Sequence, residues 1–268
     1  MTKSHRLGLR AVAVSLCLTL IVACSDSNDP NDPGGSSGDI IVADHAVVAD
    51  FASIPVNTLD YIRDHYRIYY GHTSHGSQIV TGIAMLEAED NQYASPDFRE
   101  PGGDLGHNGD LTWATTTRTF LDAHPGEYNV VMWSWCGGVS DNTEAGIQAY
   151  LDAMSQLETD YPDVTFIYMT GHLDGTGPDG NLYARNNQIR AFANAHDKIL
   201  FDFADIESYD PDGQYYPNAS DDCDWCSTWC ASHSCPGCGS CAHSHCFNCY
   251  QKGKAFWAMM ARLSGWEP

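Results

Sequence analysis

The chain reads as an α/β protein, a sandwich with helices packed on a parallel sheet of about four or five strands. Two observations predict this. From Ile40 onward, short apolar runs alternate with stretches of helical periodicity, the pattern of repeated strand–helix units. Those apolar runs also stop at clusters of small and polar residues, and in open parallel sheets the reactive groups gather at the carboxyl ends of strands.

Each element follows from its local pattern. Arg-Ile-Tyr-Tyr from Arg67 is rich in β-branched and aromatic residues and breaks at Gly71, so it reads as a buried strand that delivers His72 to Ser77 to a sheet edge. Gln78 to Glu89 carries Ile79, Ile83 and Leu86 at helical spacing and leads away from that edge. A glycine-rich loop from Gly102 to Thr112 precedes a helix from Leu111 to Leu121. Tyr128 to Trp133 is a strand ending in Ser-Trp-Cys-Gly-Gly-Val-Ser-Asp, positions 134–141. Ile147, Tyr150, Leu151, Met154 and Leu157 share one helix face, with Asp141 or Asn142 as its cap. Val164 to Thr170 is a further strand, closed by Gly171-His172-Leu173-Asp174-Gly175. Leu182, Ile189, Phe192 and Ala193 mark another helix and Lys198 to Phe203 another strand; Lys252 to Leu263 is the closing helix.

The first 24 residues read as an export signal: Lys3, Arg6 and Arg10, then an apolar stretch from Ala11 to Val22. The tetrapeptide Ile21-Val22-Ala23-Cys24 resembles a bacterial lipobox, which implies cleavage before Cys24, lipidation of its thiol and a membrane-tethered lipoprotein of the cell envelope, at the outer membrane or cell surface. Residues 25–39 are too rich in Ser, Asp, Asn, Pro and Gly to bury a core and read as a flexible linker. One domain, 40–268, follows. A formal net charge of -22 opposes phosphate backbones and argues against a nucleic-acid partner.

Eight cysteines at 223, 226, 230, 235, 238, 241, 246 and 249 crowd into an insertion ahead of the last helix. In an exported protein such a run means disulfides, though His233, His243 and His245 among the thiols also suit a structural zinc; no other cofactor is expected. Cys136 stands apart. No basic residue flanks it to lower its pKa, so it reads as a small buried hydrophobe rather than a nucleophile.

A serine hydroxyl becomes nucleophilic when an imidazole takes its proton, and the tetrahedral anion that follows needs hydrogen-bond donors. Ser74 is the candidate nucleophile, with Ser77 behind it. The order of the polar loops resembles the SGNH, or GDSL-like, hydrolase family: Gly71-His72-Thr73-Ser74 sits at its first block, in a His-x-Ser-x-Gly form completed by Gly76. Gly106-His107-Asn108-Gly109-Asp110 is similar to the second block, Gly138-Val139-Ser140-Asp141 to the third with Ser140 in place of Asn, and Cys241-Ala242-His243-Ser244 to the last with Ser240 in place of the orienting Asp.

The resemblance implies a flavodoxin-like three-layer sandwich. It implies Ser74 and His243 as the catalytic pair, with His245 as the alternative base and Gly109 and Ser140 in the oxyanion hole. With Ser240 in place of the family's Asp, either a dyad operates or a carboxylate from elsewhere, Asp221 or Asp222, orients the base; His72, His75 and His172 are candidates for metal ligands or substrate contacts, and Asp141 and Asp174 for support. The function implied is an extracytoplasmic esterase or deacetylase acting through an acyl-enzyme on a small-molecule or carbohydrate ester. The alternative is a non-catalytic carbohydrate- or metal-binding lipoprotein on the same fold.

Overall fold

A computed structural model describes residues 40–268. The expected signal peptide, Cys24 and the linker lie outside the described residues. Six strands form one wholly parallel sheet: β1 Val42–Ala43, β2 Arg67–Gly71, β3 Asp97–Arg99, β4 Val130–Trp133, β5 Thr165–Met169 and β6 Ile199–Phe201. Their order across the sheet is β1-β6-β5-β4-β2-β3. The α/β class with a parallel sheet holds, and the sheet is larger than the sequence suggests. The four strands expected from apolar runs are β2, β4, β5 and β6; the two further strands are the sheet edges, β1 of two residues and β3, whose Phe98 sits between two charged residues.

The sheet core is fully buried because both faces are covered. Ile68, Val130, Val131, Met132, Ile167, Tyr168 and Met169 are all at 0 % exposure, as expected of central strands between helix layers. The helices are α1 Val56–His65, α2 Ser77–Glu89, α3 Thr112–Ala123, α4 Glu144–Asp160, α5 Asn181–Ala195, α6 Phe203–Ser208, α7 Cys226–Cys230, which lies in the cysteine-rich segment, and α8 Cys246–Leu263. Thr143, rather than Asp141 or Asn142, caps α4 by accepting the Gly146 N–H at 3.0 Å. The last helix starts at Cys246, six residues before Lys252, because its first turns carry Cys, Asn and Tyr in place of an aliphatic stripe.

Two features aim the chain at one rim. The strand order reverses between β2 and β4, and the crevice outside such a switch point is where open α/β sheets place ligands. Helices α2 and α8 also cross backbone against backbone: a Cβ on Gly82 would lie 1.9 Å from the Cys249 carbonyl oxygen, so only glycine fits. That crossing brings the start of α8, and the cysteine-rich segment before it, beside the start of α2.

Candidate active site

The eight clustered cysteines form four disulfides, Cys223–Cys226, Cys230–Cys235, Cys238–Cys246 and Cys241–Cys249. Sulfurs paired in this way are not thiolate ligands, so of the two readings of the segment the structure has the crosslinked one. Cys136 is the free thiol among the described residues.

The turn after β2 packs tightly on the end of β4. Ser134 donates its N–H to the Gly71 carbonyl at 3.0 Å, and the Tyr70 hydroxyl donates to the Gly76 carbonyl at 3.0 Å. A Cβ on Gly76 would fall 2.1 Å from Ser134 Oγ, so a side chain there would push the two turns apart. Held this close, Ser74 Oγ lies 3.3 Å from Cys136 Sγ, and His75 Nδ1 lies 3.3 Å from the same sulfur. The other ring nitrogen of His75, Nε2, is 2.8 Å from Asp221 Oδ2. An antiparallel bridge between Asp174 and Ser220 brings that carboxylate into reach by pinning residue 220 to the loop after β5.

His75 is also the centre of a stack. The His172 ring lies parallel to it at 3.6 Å, and His243 lies on it at 4.6 Å. Burial pushes the His75 pKa down to about 4; the hydrogen bond to Asp221 pulls it up, and the neighbouring His172 and His243 push it down further. At neutral pH the ring is uncharged. It then donates Nε2–H to Asp221 and leaves the Nδ1 lone pair facing the thiol, the arrangement of nucleophile, base and orienting carboxylate that proton transfer requires.

This differs from the sequence reading in its pairings. His243 reaches the cluster by stacking on His75, whereas Ser74 Oγ bonds Cys136 Sγ. His245 is occupied in another way: its Nδ1 accepts the Phe247 N–H and caps α8. Ser140 spends its single O–H on the Gly137 carbonyl at 2.9 Å, within its own turn, and so has no proton left for an oxyanion. Gly109 packs against Gly146 and Ala149 of α4. Asp141 pairs with His107 at 3.0 Å, His72 with Glu100 at 3.2 Å, and Asp174 accepts the Thr176 N–H inside its own loop. Asp222 stays out of the His75 hydrogen bond, which Asp221 makes.

Cys136, read from the sequence as a small buried hydrophobe, is a half-buried free thiol 3.3 Å from both Ser74 Oγ and His75 Nδ1. The available signals were its place in a Trp-Cys-Gly-Gly turn at a strand end and its lack of a partner among the cysteines. A short flanking window cannot show that His75 comes from 61 residues away.

A cavity of about 740 Å³ lies elsewhere, between the 3-10 helix Ala46–Ser53 and the Trp229–Pro236 stretch of the crosslinked segment. Ser74, His75 and Cys136 are not among its lining residues.

No protein-family model matches this chain, and no curated protein does. One solved structure, a proposed acylhydrolase from Bacteroides fragilis, superimposes with a TM-score of 0.35 at 9% identity, covering 63% of this chain and 81% of that one. A likeness that loose carries no argument about function.

Proposed function

We propose that the chain is an acyl hydrolase whose nucleophile, Cys136, is activated by the His75–Asp221 pair. The observation that carries this reading is the continuous contact from Cys136 Sγ through the two nitrogens of His75 to Asp221, at 3.3 and 2.8 Å. His75 Nδ1 takes the thiol proton as sulfur attacks the ester carbonyl carbon. The tetrahedral anion collapses by breaking the C–O bond, and the departing alkoxide takes that proton and leaves as the alcohol. Water, deprotonated by the same nitrogen, then cleaves the thioester and restores the thiol with release of the acid. Asp221 holds the ring in the tautomer that leaves Nδ1 free.

A second reading keeps Ser74 as nucleophile with His243 as base. It is favoured by the stacking of the His243 ring on His75, the residue next to Ser74, at 4.6 Å. Both readings belong to the same proposal of an exported, lipid-tethered SGNH-like esterase or deacetylase acting on a small-molecule or carbohydrate ester. The four disulfides support export, since such bonds persist in oxidising compartments.

Hydrolysis of a short-chain chromogenic ester by the purified protein tests the proposal. Cys136→Ala and His75→Ala are expected to lose roughly 100-fold or more in kcat/KM, and Ser74→Ala far less. Loss in Ser74→Ala with activity kept in Cys136→Ala would transfer the role to the serine. A wild type that cleaves no ester would end both readings.

A further inference from the structure

The same cluster holds a donor set that ester hydrolysis does not use as such. His75, Asp221 and His243 each offer one ligand atom, and the three atoms lie within 4.8 Å of one another. Two imidazoles and one carboxylate suit a borderline first-row cation, while hard ions such as Mg²⁺ and Ca²⁺ demand more oxygen. Zinc–nitrogen and zinc–oxygen bonds of about 2.0–2.2 Å would have His75 and Asp221, now 2.8 Å apart, open slightly while the His243 ring turns out of its stack toward them. His243 is presented for this by an unusual backbone: its φ is 58°, in a tight turn between Cys241 and Ser244, with both disulfides of the flanking cysteines locking the turn. The ring of His172 lies parallel on a face of His75 and holds that ring in place, with Nε2 already aimed at Asp221.

We propose that His75, Asp221 and His243 bind a divalent cation of the zinc class, and that the bound ion silences the hydrolase. The ion takes the Nε2 lone pair of His75 and displaces the hydrogen bond to Asp221. The neutral ring must then carry its proton on Nδ1, facing Cys136, and a nitrogen that holds a proton cannot accept one. The silencing rests on the acyl-hydrolase reading; the binding does not.

The test uses the whole chelator-treated protein, with Zn²⁺ titrated by calorimetry and Co²⁺ absorption as a second readout. One ion per chain is expected. His243→Asn, which tolerates a left-handed φ, and Asp221→Asn should each weaken binding about tenfold or more, with circular dichroism unchanged. His233→Ala, at the stacked Trp229 surface, should bind as wild type. Cys136→Ala should also bind. Stoichiometry near zero, wild-type affinity in His243→Asn, or loss of binding in Cys136→Ala would overturn the site. With ester turnover present, saturating Zn²⁺ should lower it about tenfold or more, reversibly on chelation, and stimulation would overturn the switch. With no turnover at all, the hydrolase reading fails while the binding result stands by itself.

Discussion

Lys252 Nζ and Glu207 Oε1 are 2.7 Å apart with both side chains at 0 % exposure. The pair is the hub beneath the rim. Glu207 Oε2 accepts the Leu173 N–H at 2.7 Å, next to His172, and its backbone carbonyl accepts the Trp225 indole N–H at 2.9 Å. Lys252 also donates to Gln78, whose amide reaches the Ala242 carbonyl at 2.6 Å, next to His243. Burial lowers the Lys252 pKa, opposed by the carboxylate it faces. One polar knot therefore ties three of the loops that carry the site.

Removing half of that pair should be costly. Lys252→Met leaves a carboxylate buried without a counter-ion and is expected to lose about 3–5 kcal/mol in denaturant unfolding. The double variant Lys252→Met with Glu207→Gln should lose less than the sum of the two single changes, because it no longer strands a charge.

The pH profile of ester hydrolysis should be shifted to acid. Protonated His75 cannot take the thiol proton, so activity falls as pH drops through the His75 pKa, which burial sets at about 4 rather than at the usual 6.5. kcat/KM is expected to survive at pH 5 and fail near 4. An acid limb near 6.5 would show that some other imidazole is the base. Stability follows the same sign: between about 6.5 and 4 the unfolded chain binds a proton at this position that the folded chain refuses, so lowering the pH across that window destabilises the fold.

Reduction should cost activity even though the proposed nucleophile is itself a thiol. Cys238–Cys246 and Cys241–Cys249 each close a loop of sequence separation 8 around His243. Each is worth about 2–3 kcal/mol on loop entropy. Dithiothreitol is expected to lower the denaturation midpoint and the turnover together, with intact mass confirming reduction. Full turnover in the completely reduced protein would separate the site from its crosslinked frame.

The α2–α8 crossing predicts a sharp cost for one methyl group. Gly82→Ala sets a carbon against the Cys249 carbonyl and the Gly253 amide, neither of which is the end of a flexible side chain. A loss of about 1–3 kcal/mol or more is expected, read from thermal unfolding.

Much of the scaffold was legible because its signals are local. Arg67 to Tyr70, Val130 to Trp133, Thr165 to Met169 and Ile199 to Phe201 announce themselves by composition, and α4 by its stripe from Ile147 to Leu157. The short edges β1 and β3 carry no such period. The loops that hold reactive side chains were legible too, since His72 to Ser77, Cys136 and His172 all follow apolar runs. Which partners meet inside those loops was not, and His243 was paired with Ser74 on family order alone.

By itself the sequence determined a parallel α/β sheet, polar strand ends and a cysteine-rich segment near the last helix, because side-chain periodicity and cysteine spacing act over a few residues. Only the tertiary structure decided that Asp221 serves His75 across 146 residues, that Cys136 is the thiol beside that ring, and how eight cysteines pair. A hydrogen bond depends on fractions of an ångström and on the path of every loop between its ends. Neither is written in any window of the chain short enough to carry a pattern.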